Sequence, residues 1–179
     1  MEPPGAHIFN QLHISLVRNA ARCYVFLSDV LVSTETDINQ QSAWEAYFRA
    51  SKWFTRGWTL QELIAPVSVA FVSSEGWEIG DKRSLEQLVH AITHIPVQAL
   101  RNNRLDEFTA SERIAWAKGC ETTEEEDSAY CLLGILGISM HVSYGEGKEK
   151  AFTRIQYELQ AKNSVPSIIP FSRNDRFVG

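Results

Sequence analysis

The sequence is poor in the features that mark several large classes of protein. Its 179 residues include only three cysteines, with no CxxC spacing, and there is no Asn-x-Ser/Thr sequon. These absences argue against a secreted fold stapled by disulfides and favour reduced thiols inside a cell. Residues 1–5 also lack the basic and apolar segments of a signal peptide. We therefore expect a cytoplasmic location.

Long hydrophobic runs and basic stretches are missing as well. The apolar segment 131–138 is far shorter than the roughly 20 residues that a membrane span requires, so no membrane span is expected. The chain carries 22 acidic and 17 basic side chains, for a formal charge of −5. Its Lys and Arg residues form no stripe that would neutralise a phosphate backbone, so nucleic acid is not an expected partner.

Hydrophobic residues make up 44% of the sequence, which is enough for a folded core. In the first half, residues 8–23 have helical spacing, residues 24–27 indicate a buried strand, and residues 67–72 indicate a second strand. Residues 33–42 are polar and aperiodic, which is typical of a loop. We therefore predict an α/β arrangement for this half.

Further helices are predicted from start and stop signals. Ser42 is placed to cap a helix that runs to Ser51, and residues 58–65 suit a short helix that Pro66 ends. A helical stripe over residues 85–92 follows Gly80 and Asp81.

The second half lacks strand-like runs and is predicted to be mainly helical. Thr109 with Glu112 and Thr123 with Glu126 both match the capping box, in which hydroxyl and carboxylate satisfy the free backbone donors of a helix start. A last helix is predicted over residues 148–162.

Common catalytic and metal-binding templates do not fit the sequence. His90 and His94 have a metal-sharing spacing, but the residues between them lack the glutamate of a metalloprotease helix. The segment Tyr144, Gly145, Glu146, Gly147 is rich in glycine but fails the phosphate-loop template, so a turn into the next helix is expected. No metal site is predicted.

One segment concentrates polar side chains of different chemistry around a glycine. Arg56, Gly57, Trp58, Gln61 and Glu62 lie within seven residues, and Gly57 is expected to allow a sharp turn. On a helix that begins near position 58, the last three side chains share a face. That face is either a buried polar network, in which indole, amide and charged groups satisfy one another, or a functional site.

Long segments of this chain resemble a known family. Residues 53–66, WFTRGWTLQELIAP, look like the closing block of the fungal heterokaryon incompatibility (HET) domain, and residues 18–30, RNAARCYVFLSDV, resemble the helix and strand before it. Three later segments are similar to the helical region that often follows HET domains. These are residues 111–117, SERIAWA; residues 122–135, TTEEEDSAYCLLGI; and residues 144–147, YGEG.

Two blocks of the family, an aromatic-Leu-Ser-x-x-Trp-Gly block and a Trp-x-Asp-x-x-Cys-Ile block, belong upstream and are not found in this sequence. The resemblance therefore implies that residues 1–73 are the C-terminal part of a HET domain, with a TIR-like doubly wound α/β fold. Residues 74–165 would be a helical extension and residues 166–179 an irregular tail.

The resemblance implies a role in vegetative incompatibility, in which nonself recognition after hyphal fusion leads to programmed cell death. The expected partners are proteins, through self-association or a larger incompatibility protein, and no cofactor is expected. Because some TIR domains cleave NAD, the resemblance also raises Glu62 as a catalytic carboxylate of an NAD glycohydrolase. A third interpretation is an inactive fragment, which would expose a sheet edge and an apolar patch.

Overall fold

Three short strands and a larger set of helices make up the part of the chain that the computed structural model describes, residues 20–32, 40–101 and 104–164. The strands are β1 Cys23–Phe26, β2 Val69–Val72 and β3 Glu78–Asp81. The α-helices are α1 Gln40–Ala50, α2 Thr59–Ile64, α3 Glu86–Thr93, α4 Val97–Arg101, α5 Ala110–Ala115, α6 Asp127–Tyr130, α7 Leu133–Leu136 and α8 Lys148–Ser164. Short 3₁₀ helices lie at Lys52–Thr55 and Leu105–Glu107.

The strands form one mixed sheet in the order β1-β2-β3. β1 and β2 are parallel, with Cys23 opposite Val69, whereas β2 and β3 are antiparallel. Because parallel strands cannot be joined by a tight turn, the chain crosses between β1 and β2 through α1 and α2. A small mixed sheet with many helices agrees with the predicted α/β class.

The core begins on one face of this sheet. Val25 and Phe71 are buried there, and Phe71 packs edge-on against Phe48 of α1 with ring centroids 5.1 Å apart. The ring centroids of Phe54 and Phe48 lie 5.0 Å apart, so Phe48, Phe54 and Phe71 form an aromatic cluster. Contacts between aromatic rings at such distances stabilise the core. Trp53 packs edge-on against Phe54 and Phe71 and so belongs to the same cluster.

The core is continuous across the predicted boundary between residues 73 and 74. Leu63 and Ile64 of α2 belong to the same buried cluster as Leu132 and Leu136 from the helical half. The proposed division at 1–73, 74–165 and 166–179 stays a prediction, but the two halves are packed against each other.

The prediction of a buried strand at residues 24–27 was right for Val25 and Leu27, which are buried, and wrong for Tyr24 and Phe26. β1 lies at an edge of the described sheet, and Tyr24 and Phe26 are 64% and 60% exposed. Side chains alternate across a strand, so Val25 and Leu27 turn into the core and Cys23 packs at its margin. The described residues thus contain the exposed edge and aromatic patch that the fragment interpretation expects.

Two further local predictions were wrong. Ser42 lies inside α1, which begins at Gln40, and it is Ser51 whose hydroxyl accepts from the Trp53 N–H to cap the next 3₁₀ helix. β3 was missed because Gly80 and Asp81 were interpreted as a helix boundary. Of the predicted helix over residues 8–23, residues 8–19 lie outside the described residues, residues 20–22 are not helical and Cys23 belongs to β1. Of the predicted loop over residues 33–42, residues 33–39 lie outside the described residues and residues 40–42 belong to α1.

Several helices are confirmed. α3 and α8 lie where the apolar periodicity placed them, and α2 lies within the short helix predicted before Pro66. Thr109 and Glu112 form the expected capping box at the start of α5. Within the described part of the chain, none of the helices combines the length and the apolarity needed to cross a membrane.

Candidate functional site

The segment around Gly57 is pressed against the chain near residue 121. The Gly57 N–H donates to the Glu121 carbonyl at 3.0 Å, and the Glu121 N–H donates to the Thr55 carbonyl at 2.6 Å. A Cβ on Gly57 would lie 2.7 Å from Thr122 Cγ2 and 3.2 Å from Cys131 Sγ. Gly57 lies in a turn, as the sequence predicted, and close packing also requires a glycine at this position.

Gln61 makes the second link between the same two segments. Its side chain is 1% exposed, and Nε2 donates to the Cys131 carbonyl at 2.6 Å. The Cys131 carbonyl is thereby satisfied in the core, where an unpaired carbonyl would be costly. We call the contact of residues 55–61 with residues 121–131 the glycine joint.

The other polar residues of this motif point to different neighbours. Arg56 is exposed and pairs through its backbone with Glu121, and the Trp58 ring packs at the edge of the core. Glu62 is half-buried. Burial, followed by the charge of Glu62, raises the pKa of the Cys23 thiol, which the Lys82 ammonium opposes. The structure thus separates these side chains around α2.

The segment from Tyr144 to Gly147 is held by a buried carboxylate. Glu126 is 3% exposed, and its Oε1 accepts from the Gly145 N–H at 2.7 Å and the Gly147 N–H at 2.9 Å. Both glycines have φ of +85°, a conformation that other residues rarely adopt. The Gly147 N–H, the first of several backbone donors, holds the pKa of Glu126 below its usual range. We call this arrangement the carboxylate clamp.

The clamp corrects one helix prediction. Glu126 was expected to form a capping box with Thr123, but it occupies the N-cap position of α6 without a side-chain cap. Its oxygen is used by the glycine loop instead. Local sequence favoured the capping box because the residues that compete for Glu126 lie about 20 positions away.

A phenol and an ion pair extend the clamp to α8. Tyr130 donates from its hydroxyl to Glu146 Oε1 at 2.5 Å, and Arg154 of α8 binds the same oxygen. Burial, and then the bond to Glu146, raise the pKa of Tyr130 to about 12. Although burial acts in the opposite direction, Tyr130 and Arg154 together lower the pKa of Glu146. Tyr144 is bound in turn by Asp127, to which its hydroxyl donates at 2.8 Å.

Sequence reasoning missed one buried charge altogether. The side chain of Lys82 is buried after β3, and Nζ donates to the carbonyls of Pro66 at 2.6 Å and Leu63 at 3.1 Å. These two hydrogen bonds provide a donor to backbone carbonyls at and just beyond the C-terminal end of α2. Burial lowers the pKa of this ammonium group to about 8. A lone lysine between a strand and a polar turn gives no signal of burial in the sequence.

These contacts join segments and bind polar groups to one another. Burial raises the pKa of all three thiols, to about 12 for Cys131, so Cys23, Cys120 and Cys131 lack the depressed pKa of a reactive nucleophile. His90 contacts the Ile95 carbonyl through Nδ1 at 2.7 Å. In the described ranges, no three His, Cys, Asp or Glu side chains are grouped to hold a metal ion.

Comparison with known proteins gives one informative relationship. No family model and no solved structure matches the chain. The chain is 49% identical over 142 residues to a vegetative incompatibility protein, HET-E-1 of Podospora anserina. The aligned part is 79% of this chain and 10% of that protein, so the chain spans about a tenth of the length of its relative. Over this segment the chain belongs with the fungal heterokaryon incompatibility proteins.

Proposed function

We propose that the chain is a module of vegetative incompatibility signalling, which acts in the cytoplasm after hyphal fusion and triggers programmed cell death through protein contacts. The observation that carries this proposal is the 49% identity to HET-E-1 over 142 residues. An alignment of 142 residues is longer than either half of the chain, so it includes residues of both.

In this proposal residues 1–73 are the C-terminal part of a HET domain, residues 74–165 are its helical extension and residues 166–179 are an irregular tail. The parallel pair β1 and β2, joined through helices, supports a TIR-like doubly wound arrangement. The glycine joint supports a shared role for the two parts, because Gln61 and Gly57 bind the extension directly. The partners are a second copy of the chain or a larger incompatibility protein.

Inducible expression in a fungal cell, scored for cell death, tests this proposal. Gln61→Leu and Trp58→Ala should abolish or weaken death, since both loosen α2 against its surroundings. Glu149→Gln, at an exposed position of α8, is the matched control and should leave death unchanged. Circular dichroism of the purified variants separates loss of fold from loss of a contact surface.

Two outcomes would contradict the proposal. The first is an unmodified chain whose expression never causes death, alone or together with a larger incompatibility protein. The second is normal death with folded Trp58→Ala and Gln61→Leu variants, which would remove the role of the motif. Glu62→Ala in the same assay, with nicotinamide release from NAD measured on purified protein, tests the catalytic alternative.

A further inference from the structure

An open groove of about 430 Å³ lies beside the C-terminal end of α2. Residues of α2, α5, α7 and α8 line it, together with the 3₁₀ helix that precedes α5. Ala65 and Leu105 are half-buried and form the accessible part of its apolar wall. The buried side chains of Ile64, Ile135 and Leu136 complete the apolar lining. We call this surface the α2–α8 groove.

The charged side chains of the α2–α8 groove are already engaged. Arg113 Nη1 donates to the Ile135 carbonyl at 2.9 Å. Lys162 Nζ donates to the Gly137 carbonyl at 3.0 Å and to the Leu136 carbonyl at 3.3 Å. The two cations thus satisfy the carbonyls at the C-terminal turn of α7. What the groove offers to an occupant is apolar surface, which favours an uncharged apolar segment over an ion.

The last described helix brings the chain to this groove. Lys162 lines the groove, and α8 ends two residues later at Ser164. The next seven residues, 165–171, read VPSIIPF and contain no charged side chain. A residue four positions beyond Ser164 lies at most about 14 Å from it, so this segment is within reach of the groove. We call residues 165–171 the VPSIIPF segment.

The composition of the VPSIIPF segment fits an apolar groove. Pro166 and Pro170 have no backbone N–H, so docking removes fewer donors from water. Val165 and Ile169 each precede a proline, which favours an extended backbone at these positions. A backbone restricted in this way loses less conformational entropy on binding. The segment therefore combines apolar side chains with a low cost of ordering.

We propose that the VPSIIPF segment docks in the α2–α8 groove of the same chain, with its aliphatic side chains against Ala65 and Leu105. Because the segment follows α8 directly, its effective concentration at the groove is on the order of millimolar, which a separate molecule has to exceed. The groove is thus an intramolecular interaction surface, and the docked segment withholds its apolar wall from other proteins. Docking of the segment from a second copy is the competing outcome.

Amide NMR of the full 179-residue chain tests the docking. Replacing both Ile168 and Ile169 by Ser should shift the amide signals of Ala65 and Gly137. Amide exchange at Gly137 should become about tenfold faster, because the apolar cover of the groove is lost. Val178→Ser, beyond the VPSIIPF segment, is the matched control and should change neither the signals nor the exchange rate.

The reciprocal variant changes the groove. Leu105→Ser should shift the signals of Ile168 and Ile169, whereas Leu31→Ser, at a 54% exposed position outside the groove lining, should not. If Leu105→Ser does not fold, the variants of the VPSIIPF segment decide the question.

Two results would overturn the proposal. The first is a set of groove signals that ignores the double isoleucine variant or responds equally to Val178→Ser. The second is a shift that disappears when the protein is diluted about tenfold, since only docking between two copies depends on concentration.

Discussion

The glycine joint and the carboxylate clamp hold different segments against the same short stretch of chain, and they do so by different physics. At the joint, Gly57 lies against Thr122 and Cys131 with no room for a methyl group. At the clamp, a Cβ on Gly145 would meet nothing within 4 Å, and the loop is held by the Glu126 carboxylate. One contact depends on volume and the other on charge.

This difference separates the ways in which the two contacts can fail. A packed contact responds to added or removed atoms and is nearly indifferent to pH. A carboxylate contact weakens when the acid is protonated, whatever its shape. Substitutions that change only size or only charge should therefore affect one contact and spare the other.

The largest loss is expected at the joint. Gly57→Ala should lower the free energy of unfolding by about 1–3 kcal/mol, and Gly57→Val by more, because the new atoms overlap Thr122 and Cys131. Urea denaturation measures the change. Thr122→Ser removes the Cγ2 atom that a Cβ would meet, so it should recover part of the loss in the double variant. An equal loss in both backgrounds would show that the overlap is not the cause.

The next effect is expected at the clamp. Glu126→Ala should lower the melting temperature by several degrees, because the Gly145 and Gly147 donors lose their acceptor. Glu126→Gln keeps an oxygen and should lose about half as much, since charge-assisted bonds are about twice as strong. Glu125→Gln, at an exposed neighbour, should change little. An Ala variant that melts like the unmodified chain would disprove the clamp.

Acid titration separates the clamp from the joint. The folded-state pKa of Glu126 is lowered, so its contribution is present above the unfolded value of 4.5 and is lost as the pH falls through the folded pKa. The melting temperature of Glu126→Gln should therefore fall less steeply than that of the unmodified chain below about pH 4.5. Gly57→Ala should keep the steep fall. Parallel curves for all three proteins would contradict this assignment.

Sequence reasoning located the elements whose signals are local. The helix α8, the capping box at Thr109 and the strand β2 follow from periodicity and neighbouring residues alone. The capping box expected at Thr123 failed because Glu126 binds a loop about 20 residues later in the chain. Such competition is decided by tertiary packing, which no local pattern contains.

The candidate site was identified in its residues but not in its geometry. The sequence placed Gly57, Gln61 and Glu62 in one motif, yet Gln61 turns to Cys131 while Glu62 acts on Cys23. Arg113 and Lys162 donate to the Ile135 and Gly137 carbonyls from helices far apart in sequence, and of the two only Arg113 falls in a segment that resembles the family. Their placement depends on how α5 and α8 pack around α7.

The contact of Lys82 is intermediate between the glycine joint and the carboxylate clamp. Its ammonium group is buried and charged, but it donates to neutral backbone carbonyls. Its folded pKa of about 8 lies below the usual value of 10.5, so the folded state releases its proton first as the pH rises. Unfolding then takes up a proton, and stability due to this group rises with pH. Relative to Lys82→Met, the unmodified chain should gain roughly 1–2 kcal/mol between about pH 7 and pH 9.5.

Urea denaturation at several pH values measures this gain for Lys82. Taking the difference between the unmodified chain and Lys82→Met cancels the titration of the groups that do not interact with Lys82. Because the Lys82 ammonium opposes the rise in the pKa of the Cys23 thiol that burial causes, both proteins are compared in a Cys23→Ser background. Lys118→Met, at an exposed lysine, is the control and should show no such gain. A constant difference between the unmodified chain and Lys82→Met across this pH range would contradict a lowered pKa.

The smallest effect on stability, and the largest on association, is expected at the open edge of the sheet. Tyr24 and Phe26 are exposed beside an edge of β1 that has no partner strand in the described residues, and such edges favour pairing between chains. Replacing both by Ser should change the free energy of unfolding by less than about 0.5 kcal/mol, because neither is buried. In sedimentation velocity the double variant should self-associate less than the unmodified chain, whereas Tyr157→Ser, equally exposed on α8, should not. If Tyr157→Ser reduces association as much, general surface apolarity is responsible; if the unmodified chain is a monomer throughout, the open edge is not a self-association surface.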